Sequence, residues 1–331
     1  MKVDRRALLG TALAVGLVQR AAAQTPLPAT ERPLPGGLIQ PSEFIDLWPA
    51  GAPGAPATLP VEGVIERSTD TQLTDRAMVG INRPRMAVFR PSVPNGAAVL
   101  VTPGGGYVRV VVDKEGYELG QWLSARGFTV FVLFYRLPGD GWAAGPDVAL
   151  SDAQRAIRLI RHRARDYGLD PARVAAMGFS AGGHVAADLG TRFAAGTYPA
   201  ADAADALSAR PFAVATIYPV VSMTAPVAHA GSREQLVGKH ASAALERAHS
   251  PNLNVPDDAP PWFVVHAEDD DAVPVENTLL LRAALRERGI PVETHLFTNG
   301  GHGFGLRKVI GKPAEAWPEL FLAWARAAGL A

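Results

Sequence analysis

The pentapeptide Gly178-Phe179-Ser180-Ala181-Gly182 limits what this chain can fold into more than any other stretch. It stands between an apolar run at 174–177 and a helical stretch rich in small residues. A serine on so sharp a strand-to-helix turn adopts a strained backbone, and its neighbours must be small for the two elements to pass closely. Gly178, Ala181, Gly182 and Gly183 meet that demand. The turn lifts the hydroxyl out at the carboxyl edge of a sheet, and the following helix directs its positive dipole end to the same place. The competing reading is a glycine-rich turn with an incidental serine, and the strand before it and helix after it argue for the first.

The rest of the chain supplies the sheet. Apolar β-type runs at 86–90, 98–102, 129–134, 174–177, 213–218, 262–266 and 292–297 alternate with helical stretches at 114–125, 147–167, 182–193, 275–288 and 314–327. That alternation is the pattern of a parallel sheet with crossover helices, and the continuously apolar runs suit strands buried on both faces. Asp113 is expected to cap the first helix, and Gly127 and Gly289 to stop theirs. With 331 residues, 48% of them hydrophobic, the chain can bury the core of one large α/β domain and need not be divided in two.

Three further segments carry chemistry. Pro103-Gly104-Gly105-Gly106-Tyr107 follows the strand at 98–102 directly. Its glycines let the backbone approach a ligand and aim N–H groups at it, with Gly105 and Gly106 the expected oxyanion donors beside the N–H of Ala181. A phosphate loop is the rival, but no Lys-Ser or Lys-Thr follows and the Rossmann glycine spacing is missing. The acidic run Glu268-Asp269-Asp270-Asp271 ends a strand, where a carboxylate can orient an imidazole. Asp270 precedes Val273-Pro274 by the spacing usual for such an acid. Asp269 and Asp271 stay open as alternatives, as do a solvated acidic loop and a calcium site. Finally, Asn299-Gly300-Gly301-His302-Gly303-Phe304 places a glycine-flanked histidine after the last strand, where it can take a serine proton. By itself a loop histidine is more often an ordinary surface residue. The chain order Ser180, Asp270, His302 is that of the α/β-hydrolase triad and differs from the other two familiar serine-hydrolase orders. The expected fold is therefore α/β-hydrolase: a mostly parallel central sheet with helices on both faces.

Other features mainly exclude. There is no cysteine, which removes disulfides, thiolate metal sites and a cysteine nucleophile. His184 is expected to pack or hydrogen-bond beneath the elbow, and His266 merely ends a strand. No His-Glu-x-x-His pair occurs, so neither metal nor cofactor is expected. Lys plus Arg equals Asp plus Glu at 32 each, so no overall field would attract nucleic acid or an anionic membrane. The start, Met1-Lys2-Val3-Asp4-Arg5-Arg6 followed by an apolar run at 7–18 and Ala21-Ala22-Ala23-Gln24, reads as a cleaved export signal of twin-arginine type at 1–23. The run of 12 residues is too short to span a bilayer. Export places the protein in the periplasm or outside the cell. Residues 24–60, rich in Pro, Gly and Ala, read as a linker and extended arm before a catalytic domain at 61–331.

With these residues assembled, the chain resembles a group of bacterial α/β-hydrolases that includes acetyl-xylan and feruloyl esterases, members of which are often labelled xylanase-like. The similarity runs from Leu47-Trp48-Pro49 nearly to the C-terminus. It is carried by Pro103-Gly104-Gly105-Gly106-Tyr107, Asp113-Lys114-Glu115-Gly116, Tyr135-Arg136-Leu137, the stretch Met177 to His184 around the elbow, Gly231-Ser232-Arg233, Val273-Pro274-Val275-Glu276-Asn277 and Gly300-Gly301-His302-Gly303. The resemblance implies Ser180 as nucleophile, Asp270 as acid, His302 as base, and Gly105, Gly106 and Ala181 as oxyanion donors. It departs from the wider esterase pattern at Pro103, where many relatives carry His before the three glycines. It also implies a small-molecule or oligosaccharide ester as substrate, an acetyl ester on plant-wall carbohydrate first among them. A broad small-ester carboxylesterase and a silent carbohydrate-binding protein of the same fold are the rivals. Tyr107, Trp142 and Tyr218 offer rings for sugar stacking, although core packing is the commoner role of such residues.

Overall fold

The computed structural model describes residues 38–70 and 72–331; the export signal proposed at 1–23 lies outside them. Eleven strands are described: β1 (Glu43–Asp46), β2 (Gly63–Glu66), β3 (Arg76–Val79), β4 (Arg85–Phe89), β5 (Ala98–Thr102), β6 (Val110–Val111), β7 (Thr129–Phe134), β8 (Val174–Phe179), β9 (Val214–Ile217), β10 (Trp262–Ala267) and β11 (Val292–Phe297). The helices are α1 (Glu118–Ser124), α2 (Val148–His162), α3 (Ser180–Arg192), α4 (Ala230–Val237), α5 (Ala243–Ala248), α6 (Glu276–Glu287) and α7 (Trp317–Ala327).

Eight strands form the central sheet in the order β1-β4-β7-β5-β8-β9-β10-β11. From β7 to β11 every pairing is parallel, while β4 and β1 close one edge antiparallel. The parallel strands β5, β7, β8, β9 and β10 are buried along their whole length, which is why they read as unbroken apolar runs. Trp262 and Phe263, neighbours on β10, show that both faces are covered, since successive side chains leave a strand in opposite directions. A Cβ on Gly190 of α3 would lie 2.7 Å from the Trp262 ring. Phe263 packs instead on Phe321 and Trp324 of α7, with ring centroids 5.7 and 5.5 Å away. The molecule thus has the expected α/β-hydrolase architecture, with a small antiparallel sheet, β2-β3-β6, beside it. Among the described residues no helix is long and apolar enough to cross a membrane.

Several boundaries differ from the sequence reading. The described part of the arm assigned to 24–60 is integral to the sheet: Glu43–Asp46 pairs antiparallel with β4. Next to it Trp48 donates its indole N–H to Asp152 at 2.8 Å, and Arg155 binds the carbonyl of Leu47 at 3.0 Å. Pro and Gly obscured four residues whose partners lie dozens of positions away. Asp113 does not cap a helix. It sits within a π-helical turn, Asp113–Tyr117, which leads into α1, and its buried carboxylate takes the backbone N–H of Arg76 at 2.8 Å and that residue's guanidinium. The long helix expected at 147–167 ends at His162, followed by a separate 3-10 turn, Ala164–Tyr167. Gly289 does stop α6: at φ +69° it lets its own N–H reach Arg286 O at 3.0 Å and that of Ile290 reach Leu285 O at 2.9 Å, the two bonds of a left-handed helix cap. Gly127, at φ +93°, ends α1 similarly.

Candidate active site

Strand β8 runs straight into α3, and the residue at the junction, Ser180, takes φ +52°. For a residue with a Cβ this is the left-handed region, and it persists only where the surroundings over-determine it. They do so by close approach. A Cβ at Gly182 would lie 2.1 Å from the carbonyl oxygen of Thr102, and one at Gly178 would lie 2.2 Å from that of Gly182. Thr102 at the end of β5 completes the clamp, its hydroxyl donating to Gly182 O at 2.8 Å.

The hydroxyl so presented meets the expected histidine. Ser180 Oγ lies 2.8 Å from His302 Nε2, and His302 Nδ1 lies 2.7 Å from Asp270 Oδ2. Of the three neighbouring acids it is therefore Asp270 that faces the imidazole, with its side chain fully buried. Its other oxygen takes the N–H groups of Ala272 and Val273 at 3.0 and 2.8 Å. Asp269 turns the other way and holds the histidine loop, accepting the N–H groups of Gly300 and Gly301 at 2.8 Å each. Asp271 is exposed. Burial opposes ionisation of Asp270, but hydrogen bonds from His266 and His302, the charge available on His302 and the Val273 N–H together hold it well below the usual carboxylate range. The carboxylate is an acceptor, so Nδ1 of His302 carries the proton and Nε2 is free to accept from Ser180.

The glycine loop lies against the elbow: a Cβ at Gly104 would sit 2.9 Å from that of Ser180. Gly105 and Gly106 line the same cavity as Ser180 and His302, and among the described residues no group accepts their N–H bonds. Ala181 is the second residue of α3, where a helix leaves N–H groups without an internal acceptor. Gly105 and Gly106 thus line the cavity beside Ser180, and Ala181 follows Ser180 directly in the first turn of α3. Pro103, the departure from the wider pattern, is supported through its carbonyl, which accepts the Tyr135 hydroxyl at 2.8 Å.

Three supporting residues escaped the sequence reading. His266, expected only to end a strand, approaches Asp270 Oδ2 with Nε2 at 3.2 Å and Thr278 Oγ1 with Nδ1 at 2.8 Å. The acid is thus steadied by a second imidazole, and the four-residue spacing from His266 to Asp270 was the available hint. Glu115, in the π-helical turn, accepts the Gly104 N–H at 2.8 Å with one oxygen and the Tyr218 hydroxyl at 3.1 Å with the other. Tyr218, itself at φ +41°, receives the Gly305 N–H at 3.0 Å and packs on the rings of His302 and Phe304. One buried pair therefore ties the glycine loop to the histidine loop. Glu115→Gln keeps the shape but replaces one acceptor by a donor facing another donor. The expected result is a fall in kcat of about 10- to 100-fold with KM little changed, as for displacement of an oxyanion donor. Steady-state kinetics on an aryl acetate measure it.

His184 does hydrogen-bond beneath the elbow. Its Nε2 reaches His249 O and its Nδ1 reaches the Tyr107 hydroxyl, at 2.8 and 2.7 Å. A carbonyl can only accept, so Nε2 donates and Nδ1 receives the tyrosine proton; burial pushes the imidazole down to about 4 and keeps it neutral. Tyr107, Trp142 and Tyr218 are all buried, so none of these three presents its ring for stacking on a sugar. Among the described residues, one cluster has metal-ligand character: Asp147, Asp188 and His249. Arg192 stands among them, 2.8, 3.1 and 3.3 Å from the three, and makes it an ion-pair network.

A sheet of this topology with a strained serine at the β8–α3 junction and its histidine after β11 is the α/β-hydrolase fold, and this chain is one of its members. More narrowly, the chain belongs to the BD-FAE family, whose model matches residues 87–285. It is 30% identical over 236 residues to an acetylxylan esterase of Xylanibacter ruminicola, a match covering 67% of this chain and 44% of that one. It is 36% identical over 205 residues to endo-1,4-beta-xylanase B of Butyrivibrio fibrisolvens, covering 62% and 32%. The chain spans less than half the length of these two curated relatives. Among solved structures, an acetyl ester-xyloside bifunctional hydrolase from Caldicellulosiruptor lactoaceticus superposes with a TM-score of 0.72 at 32% identity, covering 89% of this chain and 99% of that one. A thermophilic esterase from Thermogutta terrifontis, at 22% identity and TM-score 0.63, shares the fold.

Proposed function

We propose that this protein is an exported serine esterase that removes acyl groups, acetyl first among them, from plant-wall carbohydrate. The observation that supports the chemistry is the continuous hydrogen-bonded chain Ser180–His302–Asp270, whose first two members line a cavity of about 360 Å³. The similarity to an acetylxylan esterase and to an acetyl ester-xyloside hydrolase supports the substrate. In the first step Ser180 Oγ attacks the ester carbonyl as its proton passes to His302 Nε2, and the carbonyl oxygen takes the negative charge toward the N–H groups of Gly105, Gly106 and Ala181. Collapse breaks the ester C–O bond, and the Nε2 proton leaves with the alcohol oxygen. Water then attacks the acyl-enzyme, giving a proton to Nε2, and that proton returns to Ser180 as the carboxylic acid departs. Asp270 stays ionised throughout.

A second reading, a small-ester carboxylesterase without need of a sugar, is favoured by the lack of any Phe, Tyr or Trp among the described residues lining the cavity, whose rings are the imidazoles of His229 and His302. Acetate release from acetylated xylan beside hydrolysis of 4-nitrophenyl acetate separates the two. Turnover of both supports the carbohydrate reading; turnover of the aryl ester alone removes the sugar and keeps the mechanism. Export rests on the Arg5-Arg6 signal and the Ala21-Ala22-Ala23 site. A mature N-terminus at Gln24 in the periplasmic or extracellular fraction is the expected result, and an intact Met1 in the cytoplasm would refute it.

A further inference from the structure

The walls of the cavity beside Ser180 are strongly one-signed. Arg67, Arg109, Lys114 and Lys308 all line it, against a single lining carboxylate, Glu115, which is already engaged by Gly104 and Tyr218. Arg67 leans on Asp75 at 3.7 Å. For the side chains of Arg109, Lys114 and Lys308 no hydrogen bond or ion pair exists among the described residues. Lys308 is exposed, and an unpaired surface lysine needs no explanation. Lys114 does. It is only 3% exposed, and a buried ammonium that no carboxylate among the described residues contacts directly is costly unless something regularly supplies one. Its position is fixed next to the chemistry: a methyl group at Gly303, adjacent to His302, would lie 3.5 Å from Lys114 Nζ.

We propose that this pocket takes an ester bearing a carboxylate, held by Lys114 with Arg109 and Lys308 while Ser180 attacks the ester carbonyl. This rests on the esterase reading above and narrows its substrate class. The whole chain is neutral, so the field is local to the cleft, where low-dielectric walls concentrate it on an incoming anion. Burial lowers the proton affinity of Lys114, with Lys308 and Arg67 adding to that effect and Glu115 and Asp75 opposing it. A bound carboxylate acts in the same direction as the two acids. No Phe, Tyr or Trp lies among the described residues lining the cavity, which fits recognition by charge: a sugar or acyl group carrying a carboxylate can be oriented without a broad aromatic platform.

The carboxylate can reside on the alcohol side, as in a uronate, or on the acyl side, as in a half-ester of a dicarboxylic acid. Two substrate pairs distinguish these sources. The first is acetylated methyl xyloside against acetylated methyl glucuronoside; the second is 4-nitrophenyl acetate against 4-nitrophenyl hemisuccinate. In at least one pair kcat/KM of the anionic member is expected to exceed that of its neutral partner by about tenfold or more at low ionic strength. That ratio should shrink as salt is raised toward 0.5 M, on the scale of about a few ångströms of Debye length. In Lys114→Gln, and independently in Arg109→Gln at a more exposed position should the first not fold, the ratio is expected to fall toward one. Ratios at or below one in both pairs, or a ratio indifferent to salt, overturn the proposal while leaving the esterase reading intact. No Ser180-dependent turnover of any of the four esters would instead remove that reading, and this proposal with it.

Discussion

Ser180→Ala is expected to lower kcat/KM on 4-nitrophenyl acetate by on the order of 10⁴-fold or more, with circular dichroism and Tm close to those of the parent. The substitution keeps the Cβ that the strained turn already accommodates at φ +52° and removes only the oxygen 2.8 Å from His302. No covalent intermediate can then form, and what survives is the background supplied by the oxyanion donors and binding alone. A fluorophosphonate should label the parent and leave the variant unmarked. Full activity in the variant would end the assignment of Ser180.

Asp270→Asn is expected to cost about 10⁴-fold in kcat and to separate the three neighbouring acids in function. An amide in that place can offer its NH₂ to His302 Nδ1, which stabilises the tautomer with the proton on Nε2, the nitrogen that must accept from Ser180. Asp271→Asn, at an exposed position, should leave kcat close to the parent's. Asp269→Asn loses acceptor strength toward the Gly300 and Gly301 N–H groups and should cost about tenfold through misplacement of the histidine loop. The stability effect of Asp270 has a definite sign. Its carboxyl is held below its ordinary value of 3.8, so ionised Asp270 adds stability above that pH and loses it as pH falls toward the folded-state value. The Tm advantage of the parent over Asp270→Asn should therefore be full at pH 6 and shrink below about pH 4; an advantage that grows on acidification would contradict the assignment.

The sheet was legible where burial on both faces made the sequence continuous, as at Ala98–Thr102, Thr129–Phe134 and Trp262–Ala267. It was not legible at β1, β2, β3 and β6. These strands are two to four residues long, too short to show a period, and β3 opens on Arg76, whose charge is satisfied by Asp113 far along the chain. Ser180, Asp270 and His302, which the structure brings together, could be singled out because each sits in a local turn of recognisable chemistry. Glu115, Tyr218 and His266 could not, because their roles exist only as distances to residues elsewhere: 103 positions separate Glu115 from Tyr218. Asp113 failed as a cap for the same reason, a local rule yielding to a buried partner. The choice among Asp269, Asp270 and Asp271 likewise waited on which side chain the strand end turned inward.

Ser180 and His302 are 122 positions apart in sequence, and the strand that leads to the histidine, β11, forms the outer edge of the sheet. The ribosome therefore finishes the elbow and the glycine loop long before it reaches the histidine. Until β11 has docked on β10, Ser180 has no His302 beside it. The Ser180–His302 contact is thus among the last the nascent chain can make, and a product truncated before His302 would bear the elbow without it.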